Sequence, residues 1–207
     1  GQQCVHLHQQ LRTPPKTQAA LLEAMQEHNV TAAGRVHALP NPFFVLATQN
    51  PIEQEGTYPL PEAQLDRFMF MLWLDYPSFA EEVEILKRTT TAKQEQVRQI
   101  LTAEDILAIQ SLIKDIPVSD NVYQYAVRLV SKTRRNKTDN TTAKQYLSWG
   151  AGPRASQYLI IGAKCHAALN GKYSPDIEDV NAVAVSVLRH RIVLNYAAQA
   201  EELTSEA

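Results

Sequence analysis

An uninterrupted apolar run that leads to an asparagine is the feature that most constrains this chain. Residues 43–46 read Phe-Phe-Val-Leu and continue into Ala47 and Thr48, without alternation of polar and apolar side chains. Such a run is typical of a strand that is buried on both faces of a parallel sheet. Open α/β sheets place their ligand chemistry at the carboxyl ends of these strands. Asn50 stands at that end, so we expect a functional edge there.

The residues on either side of this run predict the rest of an α/β domain. Thr13 is a plausible N-cap of a helix that ends near His28. Residues 30–39 contain a central Ala-Gly turn and predict a hairpin. Residues 68–74 form a second apolar run. We therefore expect the end of an α/β domain over residues 1–78.

Helical periodicity replaces the strand signal from residue 79 onward. Thr102 and Asp105 approximate a capping box at the start of one helix. Residues 135–148 are polar and poor in aliphatic side chains, so the sequence predicts a surface loop there. The result is a predicted all-helical second domain over residues 79–207. Its helical periods cover residues 81–88, 103–113, 121–134, 153–168 and 177–191.

Five short motifs follow one another in an order that resembles the MoxR group of AAA+ ATPases, and the resemblance covers almost the whole chain. It implies α/β followed by all-α: a partial AAA+ P-loop-type parallel-sheet domain with a β-hairpin insertion, and a helical lid domain. The motifs are Thr-Pro-Pro-Lys-Thr-Gln at 13–18, Ala-Thr-Gln-Asn-Pro at 47–51, Leu-Asp-Arg-Phe at 65–68, Gly-Ala-Gly-Pro-Arg-Ala at 150–155 and Leu-Arg-His-Arg at 188–191.

The resemblance implies roles for three residues in ATP hydrolysis. Asn50 matches sensor 1, which helps position the water that attacks the γ-phosphate, and Arg67 matches the arginine finger offered to ATP on a neighbouring subunit. Arg154 matches sensor 2, which joins the position of the lid to the γ-phosphate. Arginine suits such roles because guanidinium is permanently charged and forks onto phosphate oxygens. Plainer interpretations remain: a turn at Asn50, pairing of Arg67 with Glu62 or Asp66, and an exposed first-turn cation at Arg154.

The nucleotide-binding motifs of the family are missing from this sequence. The family places its Walker B Asp-Glu pair directly before residue 13, where this chain has His8 and Gln9. No P-loop pattern occurs, and the single Gly-Lys pair, Gly171-Lys172, lacks the required flanking residues. The resemblance implies ATP and Mg²⁺ as cofactors, although direct Mg²⁺ ligands are not present. We expect a truncated ATPase that is inactive alone, because the downstream motifs are intact.

The resemblance also implies partners. The family works as a homo-oligomeric ring, often a hexamer, beside proteins with von Willebrand factor A domains. Its members couple ATP hydrolysis to chaperone-like remodelling or metal-cofactor maturation of a partner protein. The alternatives are a magnesium-chelatase-like ATPase subunit and a non-enzymatic oligomerisation or interaction module that binds no nucleotide.

Composition restricts the remaining function classes. With 207 residues and 44% hydrophobic residues the chain can bury a core. A net charge of −2 argues against nucleic acid or an anionic membrane as a partner. No apolar run approaches the roughly 20 residues of a membrane span, and no signal peptide is visible. Two cysteines, Cys4 and Cys165, give no disulfide framework, so we expect a cytoplasmic protein.

Three charged or metal-ligating clusters need no ligand to explain them. Cys4, His6 and His8 would share one face of a strand, but three ligands in an irregular terminus do not predict a metal site. The basic residues at 134–137 lack neighbouring aromatic side chains and predict a solvated loop. The Arg-His-Arg sequence at 189–191 closes a helix, where cations suit the helix dipole.

Overall fold

The computed structural model describes residues 9–10, 24–25, 27–32, 34–48, 61–91, 98–137 and 139–205. Asn50, the predicted N-cap Thr13 and the Cys4, His6 and His8 cluster lie outside these residues. We call the described residues up to 78 the α/β part and those from 79 onward the helical part.

A β-hairpin dominates the amino-terminal half of the α/β part. Strand β2 (Asn29–Ala32) pairs antiparallel with β3 (Arg35–Ala38), and Gly34 adopts φ +75°, the left-handed conformation that favours glycine. His28, with φ 52°, ends the helical stretch that includes residues 24, 25 and 27. The helix end near His28 and the hairpin over residues 30–39 are therefore confirmed.

The apolar run at 43–48 forms less strand than the sequence predicts. Strand β1 (Gln9–Gln10) runs parallel to β4 (Ala47–Thr48), while Phe44 is 71% and Leu46 59% exposed. The prediction of a strand buried on both faces is wrong for residues 43–46. The reason is that β1 is the only strand pairing with β4 within the described residues, so no sheet covers these side chains there.

Residues 68–74 begin with a bend at residues 68 and 69 and pair with no strand in the part of the chain that the structure describes. Leu72, Trp73 and Leu74 are largely exposed. The Met71 N–H donates to the carbonyl of Ser186, 2.9 Å away, so this segment runs along the helical part rather than inside a sheet.

The predicted helices of the second domain are present, with modest shifts at their ends. The helix predicted over 177–191 stops at Leu188. The helices are α1 (Glu62–Leu65) in the α/β part, then α2 (Phe79–Thr89), α3 (Ala103–Asp115), α4 (Asp120–Lys132), α5 (Thr141–Tyr146), α6 (Pro153–Leu169), α7 (Ile177–Leu188) and α8 (Tyr196–Ala200).

Side-chain caps fix where several of these helices begin. The capping box of Thr102 and Asp105 at α3 is confirmed. At α7, Asp176 is the N-cap and the buried Asp179 completes a capping box that the sequence analysis did not identify. Burial alone would raise the pKa of Asp179, but hydrogen bonds from the Asp176 N–H, His166 and Lys172 outweigh it and lower the pKa to about 2.

The core of the helical part lies between α4, α6 and α7. Gly162 on α6 faces Val183 on α7, and a Cβ at Gly162 would lie 3.1 Å from Val183 Cγ2, so glycine permits this close approach. The core contains Val122, Ala126, Val130, Ala151, Ala155, Leu159, Ile160, Ala163, Val180, Val187 and Leu188.

One prediction for the second domain is wrong. The predicted loop at 135–148 contains a 3₁₀ turn (Arg135–Lys137) and α5. The side chain of Asn140 caps α5 by accepting hydrogen bonds from the backbone N–H groups of Thr142 and Ala143, which stabilises a helix in a polar stretch. The domain is helical as predicted, and it also contains one short antiparallel pair of strands, β5 (Leu147–Trp149) and β6 (Val193–Leu194).

Candidate functional site

The turn that follows α1 carries Asp66 and Arg67 and packs against the helical part. Its backbone folds back on α1: the Asp66 N–H donates to the Glu62 carbonyl, and the Arg67 N–H donates to the Gln64 carbonyl. The carbonyl groups of Asp66, Arg67, Phe68 and Met69 all accept hydrogen bonds from side chains of the helical part.

Arg191 makes most of these contacts. Its Nε donates to Asp66 Oδ1 at 2.9 Å and its Nη2 donates to the Asp66 carbonyl at 2.8 Å. The same guanidinium also donates to the carbonyls of Phe68, Met69 and Val187. Burial lowers the pKa of Arg191 from its ordinary value, and Asp66 opposes that change. A buried cation therefore has a carboxylate partner and a nearly complete set of acceptors.

His190 and Tyr158 complete the contact with the same turn. The Tyr158 hydroxyl donates to the Arg67 carbonyl at 3.1 Å, and the Tyr158 ring lies 5.1 Å from the guanidinium carbon of Arg191. His190 Nε2 lies 3.0 Å from the Phe68 carbonyl oxygen. Burial, followed by the charge of Arg191, lowers the pKa of His190 to about 4, so the ring is neutral at pH 7.

His190 and Arg191 have a role that the sequence did not predict. The helix dipole does not account for residues 189–191, because α7 ends at Leu188 and because His190 and Arg191 are buried against the turn. The structure supports one part of the helix-dipole explanation: Arg191 donates to the carbonyl of Val187, near the carboxyl end of α7. A signal was available: two basic residues and a histidine interrupt an otherwise apolar stretch, residues 187–194.

Arg154 reaches the same turn from the start of α6. Its Nη1 lies 3.4 Å from Asp66 Oδ2, and the two side chains are 39% and 32% exposed. Arg154 is therefore half-buried and paired, rather than an exposed first-turn cation. Asp66 lies between Arg154 and Arg191 and pairs with both. Because Asp66 directly precedes Arg67, this pairing brings Arg154 close to Arg67 in the structure.

The loop before α6 fixes the position of Arg154. A Cβ at Gly150 would lie 2.1 Å from the Thr133 carbonyl oxygen, so only glycine fits at this close approach. Thr133 Oγ1 accepts from the Ala151 N–H at 2.9 Å, and Arg134 Nε donates to the Ala151 carbonyl at 3.0 Å. The prediction that residues 134–137 are a solvated loop is thus wrong for Arg134.

The donors at this edge fit an anionic group. Arg154 carries a guanidinium with exposed surface, and its helix begins at Pro153, where the N-cap residue Gly152 provides no side-chain cap. A helix N-terminus and a guanidinium both favour negative charge, and phosphate suits the fork of arginine. Arg67 lies half-buried next to Asp66. Among the described residues no group of three or more His, Cys, Asp or Glu side chains could hold a metal ion.

Comparisons with known proteins identify the class that this fold and site define. Residues 4–70 match the ATPase family associated with various cellular activities (AAA), and residues 139–207 match the AAA lid domain. The chain belongs to the AAA+ ATPases.

Relatives of known name narrow the class further. The chain is 44% identical to Chaperone MoxR1 of Mycobacterium tuberculosis, covering 94% of this chain and 52% of that protein. It is 40% identical to the uncharacterized protein YeaC of Bacillus subtilis, covering 95% and 59%. Within the AAA+ ATPases, this is a chain of the MoxR group.

A solved structure supports the fold. The crystal structure of a protein assigned as an ATPase from Cytophaga hutchinsonii superimposes with a TM-score of 0.86 at 41% identity, covering 94% of this chain and 60% of that chain. The chain spans about half the length of the curated relatives it matches. In the part of the chain that the structure describes, no helix has the length and apolarity to cross a membrane.

Proposed function

We propose that the chain serves ATP hydrolysis in a ring of MoxR-type subunits, with Arg67 as arginine finger, Asn50 as sensor 1 and Arg154 as sensor 2. The observation that carries this proposal is the pairing of Arg154 with Asp66. It brings the arginine at the start of α6 to the residue next to Arg67, so both candidates for phosphate contact lie at one edge of the molecule.

Each residue has a distinct task in this proposal. Arg67 meets the γ-phosphate of ATP on the neighbouring subunit and stabilises the charge that grows in the transition state. Arg154, in the first turn of α6, binds the γ-phosphate and so links its presence to the position of the helical part. Asn50 orients the attacking water. ATP supplies the phosphoryl group, and Mg²⁺ neutralises charge on its oxygens.

The 207-residue chain alone should neither hold Mg-ATP tightly nor hydrolyse it. The sequence contains no P-loop, and His8 and Gln9 stand where the family has its Walker B carboxylates. Those two motifs supply the phosphate cradle and the Mg²⁺ ligands in P-loop ATPases. Calorimetric titration should show no binding in the micromolar range, and the phosphate released by the pure chain should equal the buffer background.

The wider function follows the relatives. We place the α/β part at residues 1–78 and the lid at 79–207, in a homo-oligomeric ring that is a hexamer. The ring works in the cytoplasm on partner proteins, by remodelling them or by assisting the maturation of a metal cofactor, beside proteins with von Willebrand factor A domains. A relative bears the name Chaperone MoxR1, which supports the chaperone-like part of this proposal.

Substitution of Arg67 tests the proposal. The test uses a fusion in which the P-loop half of a MoxR relative is joined before residue 1, which we call the full-length version. In it, Arg67→Ala should lower kcat by about three orders of magnitude or more, because fingers of this kind contribute that much. Nucleotide affinity should stay within about threefold, because a finger acts mainly in the transition state. Arg128→Ala is the matched control, since Arg128 is exposed on α4 and bonds Gln124 on its own helix.

A second candidate function rests on the exposed apolar side chains of the α/β part. Phe44, Leu46 and Leu72 are well exposed and could hold another protein without any nucleotide. The same experiment separates the two functions. If wild type, Arg67→Ala and Arg128→Ala hydrolyse ATP equally fast, the finger assignment is wrong. If none of the three hydrolyses ATP above the buffer background, the interaction module is favoured.

A further inference from the structure

We propose that Asp66 is a positioning residue that couples the two phosphate-directed arginines, Arg67 and Arg154, so that they move together. This inference rests on the proposed function. It assigns to Asp66 a role that neither the motif nor the family matches describe. Arg191 holds one carboxylate oxygen of Asp66 from the buried side, and the second carboxylate oxygen of Asp66 orients Arg154.

The two ion pairs of Asp66 are unequal. The Arg191 side chain is 1% exposed, and its Nε lies 2.9 Å from Asp66 Oδ1. Arg154 is 39% exposed, and its Nη1 lies 3.4 Å from Asp66 Oδ2. Removing one partner of a buried pair is costly, whereas a half-exposed pair is weak and exchanges easily. Asp66 is therefore held firmly by Arg191 and holds Arg154 loosely.

The loose contact leaves Arg154 able to bind a phosphate. A guanidinium carries five N–H donors, and the contact with Asp66 uses one of them. The carboxylate restricts where the guanidinium lies without occupying its whole fork. An anion that arrives at the exposed side can therefore be bound without a complete loss of the Asp66 contact.

Helix α6 contacts two consecutive residues of the turn. Arg154 contacts the Asp66 side chain, and Tyr158, one helical turn further on, donates to the Arg67 carbonyl. Residues four apart lie on one face of a helix. A displacement of the start of α6 is therefore passed to Arg67 through Tyr158, and the weaker contact of Arg154 links it to Asp66. Binding of phosphate by Arg154 and the positioning of Arg67 are therefore parts of one movement of α6.

Arginine side-chain NMR on the 207-residue chain tests the pairing directly. In Asp66→Asn, which keeps an oxygen acceptor for Arg191 but loses the charge, the Nε–H signal of Arg154 should shift and broaden. Glu62→Gln, an exposed acid one turn earlier on α1, is the matched control and should leave that signal unchanged. An Arg154 signal that is the same in wild type and Asp66→Asn contradicts the proposal.

A second variant covers the case in which Asp66→Asn does not fold. Arg154→Gln alters a half-exposed side chain outside the core, and it should shift the ¹³C signal of the Asp66 carboxylate while leaving the Arg191 signal in place. Titration of the wild-type chain with tripolyphosphate should move the Arg154 signal and leave that of the buried Arg191 unchanged. An unmoved Asp66 signal in Arg154→Gln overturns the pairing in solution.

Kinetics in the full-length version test the coupling. Asp66→Asn should lower kcat by about tenfold to a hundredfold, because misplacement of a catalytic group by about 1 Å can cost 100-fold. The KM for ATP should stay within about threefold, since no binding donor is removed. A loss of kcat that is accompanied by an equal loss of nucleotide affinity indicates a merely structural role and overturns the proposal.

Two different patterns of variant activity separate a failure of this inference from a failure of the proposed function. If Arg67→Ala and Arg154→Gln leave hydrolysis intact, the proposed function is wrong. If those two variants lose turnover while Asp66→Asn and Glu62→Gln both match wild type, the arginines act on phosphate without Asp66 and only the coupling is wrong.

Discussion

The core between α4, α6 and α7 buries its apolar side chains, whereas the apolar run at residues 43–46 leaves two of its side chains mostly exposed. Between α4, α6 and α7, residues such as Ala126, Val130 and Leu159 are completely buried. In the α/β part, Phe44 and Leu46 are mostly exposed although their sequence is that of an interior strand. Apolar side chains thus form a closed core between these three helices, while Phe44 and Leu46 stay largely uncovered.

The difference shows how much each element depends on residues that are distant in the sequence. A helix satisfies its own backbone hydrogen bonds and needs only one or two neighbouring helices to bury its apolar face. A central strand needs a hydrogen-bonded neighbour on each edge and a layer on each face. Within the described residues β4 has one neighbour of two residues, so its apolar run has little to pack against.

Matched leucine substitutions are the strongest test of this comparison. Leu159→Ala should lower the free energy of unfolding by about 2–5 kcal/mol, because Leu159 is fully buried and a cavity would remain. Leu46→Ala, at a side chain that is 59% exposed, should change it by no more than about 0.5 kcal/mol. Urea denaturation followed by circular dichroism measures both. Equal losses would mean that residues 43–46 are covered in solution.

Acid should weaken the contact between the two regions. The pKa of His190 is lowered to about 4 in the fold, against an ordinary value of 6.5, so the unfolded chain binds the proton more readily. The stability that neutral His190 contributes is present above pH 6.5 and is lost as the pH falls towards 4. The loss is roughly 3 kcal/mol at most.

Two histidine variants isolate that effect. His190→Gln cannot be charged and keeps an N–H donor for the Phe68 carbonyl, so the fall in melting temperature between pH 6.5 and 4 should become shallower. His37→Gln, on the exposed hairpin, should leave the pH profile as in wild type. An unchanged slope in His190→Gln would place the acid-sensitive group elsewhere.

The smallest effect concerns the start of α6. A side chain at Gly152 would have open space around its Cβ, and this N-cap position has no side-chain cap. Gly152→Ser should therefore stabilise the helical part by a few tenths of a kcal/mol, because serine accepts a first-turn N–H. Gly152→Ala lacks the hydroxyl and should be less stable than Gly152→Ser. Thermal melts in which alanine equals serine would exclude capping at this position.

Local features of this fold were accessible from the sequence. The periodicity of α3, α4 and α6, the cap at Thr102 and the hairpin turn at Gly34 each depend on residues close together in the chain. The helix α5 was missed although its cap, Asn140, is equally local, because the polar stretch around it suggested a loop.

The candidate site was accessible only in part. The motifs singled out Arg67 and Arg154, but not what holds them. The pair of Asp66 and Arg191 is separated by 125 residues, and nothing local to either residue indicates the other. The buried state of His190 depends on the same long-range packing. Contacts of this kind follow from the tertiary fold and leave only a weak trace in one sequence.

The central claim is that Arg67 acts on ATP across a subunit boundary, and mixing two inactive variants of the full-length version tests it most directly. One carries Arg67→Ala with an intact P-loop, and the other keeps Arg67 but lacks the P-loop lysine. Mixed rings should regain ATPase activity, because some interfaces then combine an intact P-loop with an intact finger. If mixed rings form but hydrolyse no ATP, and Arg67→Ala weakens ATP binding in monomers, Arg67 acts within its own subunit and the claim is wrong.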